Sequence, residues 1–90
     1  MSANSPASDH WTYELRKPVE HAGQTYTELK LREPTAGDLK AVAAEGEGVG
    51  LMLALMFRIT AVPPPALEQL SARDFMRAQR YLEGFLIGDQ

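Results

Sequence analysis

The chain has 90 residues, enough for one domain whose core is thin, since a fold of this size buries only about 60–65% of its unfolded surface. Its net charge of −3 and pI near 5.3 argue against a dedicated nucleic-acid binder, which needs a basic surface to displace counterions from phosphates. Cysteine is absent, which excludes disulfides, thiolate metal sites and cysteine nucleophiles.

Residues 1–9 (MSANSPASD) are small and polar, with no apolar segment of the kind a signal peptide carries, and read as a flexible tail. Residues 10–90 read as a single α+β domain. Trp11, Tyr13 and Leu15 alternate with Thr12, Glu14 and Arg16, the period of a half-buried strand. Pro18 is expected to break or edge that strand, because it has no N–H for a ladder. His21-Ala22-Gly23-Gln24 reads as a turn with Gly23 at positive φ. The return strand covers 25–32, with Thr27, Leu29 and Leu31 on one face and Tyr26, Glu28, Lys30 and Arg32 on the other. The whole hairpin is expected over 10–33. Two strands alone are marginal in water, so helices must cover the apolar face.

Pro34 stops the second strand, and Thr35 followed by Asp38 makes a capping-box start for a helix over 35–45. Leu39, Val42 and Ala43 form its apolar stripe. Three glycines within 46–50 predict a hinge or loop. A second helix is expected over 51–61, apolar on nearly every side. The apolar run ends at Arg58, far short of the ~20 residues of a membrane span. Pro63-Pro64-Pro65 prevents continuation, and Leu67 and Leu70 suggest one short helical turn. Ser71, with Asp74 three residues on, starts a last helix over 71–87, whose buried stripe is Phe75, Ala78, Leu82, Phe85 and Leu86 and whose stop is Gly88.

The residue pattern offers no chemistry. His10 and His21 lack partners at ligand spacing and read as a strand-end and a turn residue, so neither a metal nor a cofactor is expected. The glycine run carries no Lys and follows a helix, which suits a linker better than a phosphate loop. With no nucleophile–base or metal constellation, an enzyme is not expected. Arg73, Arg77 and Arg80 line one face of the last helix, a surface for solvent or for an acidic partner or RNA. Met52, Met56 and Met76 fill a core or present an adaptable surface to helices. Leu53, Met56, Phe57 and Met76 are the candidate partner-binding residues, lining a groove for an apolar helix. The all-round apolar helix also predicts self-association.

The stretch YELRKPVEHAGQTYTELKLREPTAGDL resembles the start of the Mu-like phage tail assembly chaperone family. The shared pattern is Leu15, Lys17, Pro18 and Val19, then Gly23, then Leu29, Leu31, Arg32, Pro34, Thr35, Asp38 and Leu39. Looser likeness runs on to Ile87. The sequence departs from the family after Thr60, where Ala61-Val62 and three prolines replace the usual Gly. Structural roles follow for the motif: Gly23 closes the hairpin, Pro34 and Thr35 end the strand and cap the helix, and Leu29, Leu31 and Leu39 join sheet and helix. The resemblance implies a non-catalytic protein of the bacterial host cytoplasm that coats the tape measure protein before the tail tube polymerises around it. Two other functions stay open: a small nucleic-acid-binding regulator resting on the Arg stripe, and a structural subunit of a contractile tail.

Overall fold

The computed structural model describes residues 10–86, so the tail over 1–9, Ile87 and the expected stop at Gly88 lie outside the described residues. It is an α+β fold: one antiparallel hairpin followed by helices. Strand β1 (His10–His21) pairs with β2 (Gln24–Arg32), placing Trp11 opposite Leu31 and Tyr13 opposite Leu29. The two-residue turn Ala22-Gly23 has positive φ at both positions, 52° and 80°, as the twist of a tight hairpin requires.

Pro18 does not end the first strand. The register slips between Glu14 and Val19, so that the chain runs through an irregularity and pairing resumes with Val19 opposite Tyr26. The proline falls inside this bulge, where the ladder makes no demand on its missing N–H. Thr27, expected inside with Leu29 and Leu31, lies opposite the irregular segment and is exposed.

Helix α1 (Ala36–Val42) tightens into a 3-10 turn at Ala43–Glu45. Gly46 (φ 89°) and Gly48 (φ 73°) then turn the chain within a short connection. The glycine run is therefore not the loop expected over 46–50: helix α2 (Gly48–Thr60) already contains Gly48 and Gly50. It ends at Ala61, whose left-handed backbone (φ 66°, ψ 10°) lets its N–H donate to the Phe57 carbonyl at 2.8 Å. Pro63 and Pro64 open the short helix α3 (Pro64–Leu67), where a missing N–H costs nothing. Helix α4 (Ala72–Leu86) closes the described chain.

The core lies between one face of the hairpin and the helices, with α2 packed on β2 and α4 on β1. Tyr13, Leu15, Leu29 and Leu31 meet Met52, Leu55 and Met56 of α2, Leu67 of α3, and Ala78 and Leu82 of α4. Trp11, Tyr13, Tyr81 and Phe85 form a chain of ring contacts, with centroids 5.1–5.2 Å apart, that ties β1 to α4. Phe75 and Phe85 are half-buried on the expected stripe, while Leu86 is exposed.

Candidate partner-binding surface

Two buried aspartates fix the helices that carry the surface. The Thr35 hydroxyl accepts from the Asp38 N–H at 3.1 Å, and the Asp38 carboxylate accepts from the Thr35 N–H at 2.8 Å, completing the expected capping box. The same carboxylate takes both terminal nitrogens of Arg32, at 2.7 and 3.3 Å, and Nε of Arg58 at 2.7 Å. One side chain thus joins the end of β2, the start of α1 and the last turn of α2. Arg32, the Thr35 N–H and Arg58 together hold its pKa far below the carboxylate range, against the upward push of burial. Leu39, by contrast, does not join sheet and helix as its motif position suggests; it is 40% exposed, and Asp38 takes the inward position beside it.

Asp74 does the corresponding work for α4. Its N–H donates to the Ser71 hydroxyl at 3.1 Å. Its carboxylate accepts from the Tyr13 hydroxyl at 2.7 Å and from the backbone N–H groups of Arg16 (3.0 and 3.2 Å) and Lys17 (3.2 Å). These N–H groups belong to the irregular stretch of β1, so Asp74 stands in for the missing strand partner. Burial raises its pKa, but the bonds from Tyr13, Arg16 and Lys17 outweigh burial and leave it lowered. The Asp74 carboxylate, in turn, raises the pKa of Tyr13. Neither aspartate's long-range partners carry a sequence signal.

With the frame fixed, the apolar surface is specific. On α2, Val49, Leu53 and Phe57 follow one another at i, i+4 and i+8, a ridge of about 12 Å. Val49 is 58% exposed, Phe57 44%, and Leu53 half-buried. The ridge borders two open grooves. One lies between α1 and α2, lined by Ala41, Val42, Ala54, Phe57 and Ala61 together with the charged Glu45 and Arg58. The other lies among α2, α3 and α4, lined by Val49, Leu53, Leu67, Leu70, Ala72 and Phe75, with the exposed Glu68 as its one charged residue.

The four candidate partner-binding residues do not form one groove lining. Leu53 and Phe57 stand on the outer ridge of α2, bordering different grooves. Met76, 50% exposed, follows Ala72 along α4, just beyond the second groove. Met56 is fully buried in the core and offers no surface to a partner. Val49 is the ridge residue that sequence reasoning passed over; its i−4 spacing from Leu53 was the available signal. Among the described residues, no three His, Asp or Glu side chains gather to hold a metal, and no helix is long and apolar enough to cross a membrane.

A family model described as "Phage tail assembly chaperone proteins, E, or 41 or 14" matches residues 12–87. The chain belongs to this phage tail assembly chaperone family. No curated protein and no solved structure matches it. The match spans the hairpin and every helix, so what marks the family member is its whole fold. The block from Leu29 to Asp38 supplies core residues, a cap and an ion-pair hub: Leu29 and Leu31 are buried, and Arg32 and Thr35 each bond to Asp38.

Proposed function

We propose that this family member binds apolar helical segments of the tape measure protein and keeps them soluble while a Mu-like contractile tail assembles in the bacterial cytoplasm, without catalysing any reaction. The observation that carries the reading is the Val49–Leu53–Phe57 ridge with a groove on each side. A helix presenting anchors at i, i+3 or i+4, and i+7 can seat its apolar stripe against such a surface. Long apolar helices aggregate when left uncovered, and a small domain with a ready apolar ridge can cover them reversibly. Family membership supports a role in tail assembly with a phage tail protein as partner.

The same ridge supports weak self-association when no client is present, because isologous pairing would cover Val49 and Phe57. Light scattering is expected to show mass rising with concentration; a monomer throughout would remove this part of the reading. Co-expression tests the main proposal. The tape measure protein is expected to be soluble and to co-purify with the chain. Equal solubility with and without the chain, and no co-purification, would defeat it.

A further inference from the structure

We propose that the partner helix is acidic along one flank, and that Arg73, Arg77 and Arg80 receive that flank while the neighbouring apolar groove receives its apolar stripe. The inference rests on the helix-binding reading and names the chemistry of the partner.

The distribution of charge carries it. The chain is net negative, yet the outward face of α4 presents Arg73, Arg77 and Arg80, with only the uncharged Gly84 completing that face. All four are exposed. Asp74, the acid beside Arg73 in sequence, points inward, and its oxygens are taken by Tyr13 and the β1 backbone. Glu83, three residues after Arg80 and on its Met76 flank, accepts from Gln79 at 3.0 Å rather than pairing with an arginine. Among the described residues, both ion pairs belong to Asp38, with Arg32 and Arg58. Among the described residues, Arg73 and Arg80 therefore have no ion-pair partner, and Arg77 lies over the Tyr13 ring at 5.9 Å. The irregular stretch of β1 adds Arg16 and Lys17, which share a depression with Ser71 and Arg73. Arg16, Lys17 and Arg73 thus border one depression, and Arg77 and Arg80 continue from Arg73 along α4.

Helix geometry places this stripe beside the apolar surface. Ala72, Met76 and Arg80 succeed one another at i, i+4 and i+8. Ala72 lines the groove, Met76 is exposed, and Arg80 belongs to the basic face. A single ridge therefore leads from apolar groove to cation, and an amphipathic helix with Glu or Asp on one flank matches both. A nucleic acid matches only the cations: its phosphates would leave the Met76 ridge and the groove unused, and would meet the repulsion of the net charge of −3. Rim charges of this kind mainly set partner choice and association rate.

The test uses two labelled amphipathic peptides of about 20 residues, roughly 30 Å of helix, identical except that one carries Glu and the other Lys on the same flank. The intact chain is expected to bind the Glu peptide at least about tenfold more tightly at low salt, with the preference shrinking toward 1 M salt, where screening acts within about 3 Å. The triple variant R73E/R77E/R80E should reverse the preference. Arg77 contacts Tyr13, so R73E/R80E is the second variant; it should weaken Glu-peptide binding with an unchanged thermal unfolding profile. Equal binding of both peptides, unaffected by these variants, would overturn the acidic-flank inference while leaving helix binding intact. Binding of neither peptide would overturn helix binding and this inference with it. Tight binding of a labelled oligonucleotide that displaces the Glu peptide would overturn the inference in favour of a nucleic-acid partner.

Discussion

Asp38 and Asp74 stand at equivalent places, each three residues after a hydroxyl residue that caps its helix. Each also reaches beyond its own helix, and removing either leaves different orphans. Asp38→Ala loses the capping box and frees two arginines. These are about a third and a half exposed, so water can solvate them, and the expected loss is about 2 kcal/mol. Asp74→Ala strands the Tyr13 hydroxyl and two backbone N–H groups in or near the core, at about 1–3 kcal/mol for each buried donor left unmade. Its cost should exceed that of Asp38→Ala, and urea unfolding at neutral pH would check the order. Both carboxylates have folded pKa values below the unfolded value near 4. The unfolded state therefore takes up protons first as pH falls. The stability these groups contribute is complete above about pH 4 and declines below it. Unfolding midpoints measured between pH 7 and pH 3 should fall steeply at the acid end, and less so in Asp38→Asn. The sequence shows Asp38 as a capping residue because Thr35 sits at the right spacing. It cannot show Arg58, twenty residues on, or the β1 N–H groups that Asp74 reaches, because those distances exist only after folding.

At the level of elements, two alanines occupy backbone conformations that suit other residues. Ala22 (φ 52°) is the first residue of the hairpin turn, and Ala61 (φ 66°) ends α2. A left-handed conformation costs a Cβ-bearing residue roughly 1–2 kcal/mol, part of which glycine's greater unfolded freedom offsets. Ala61→Gly should stabilise the fold by about 0.5–1 kcal/mol, because glycine takes the left-handed conformation without a Cβ clash. Ala22→Asn should act in the same direction, since Asn tolerates positive φ at the head of an Asn-Gly turn. Thermal melts would read both, and a loss of stability in either would contradict the strain assigned here. The hairpin was legible because aromatic and aliphatic residues alternate over Trp11, Tyr13 and Leu15 and over Leu29 and Leu31. The proline trio was legible as a stop. The glycine run was misleading: Gly46 and Gly48 do turn the chain, but Gly50 continues into a helix whose burial on β2 outweighs its poor propensity.

For the whole molecule, the decisive ambiguity was which side of α2 faces out. A helix made of Leu51, Met52, Leu53, Leu55, Met56, Phe57 and Ile59 gives no polar face to mark solvent, so Met56 and Phe57 look alike in sequence. Packing on β2 separates them: Met56 is 0% exposed and Phe57 44%. Substituting Asp at each position should therefore produce two different failures. At Met56 a carboxylate would be buried among Leu and Met side chains without a partner, which costs several kcal/mol. Such a cost rivals the total stability of a domain of this size, so Met56→Asp should lose its cooperative unfolding transition and its native circular dichroism. At Phe57 the carboxylate can stay in water. Phe57→Asp should keep the native spectrum and a melting temperature within a few degrees of the parent, because its main loss is partly exposed apolar area. It should nevertheless fail to solubilise the tape measure protein on co-expression, because docking a helix on the ridge would strip water from the new charge. If Phe57→Asp remains folded and solubilises the client as well as the parent chain, the ridge of α2 is not where the client sits.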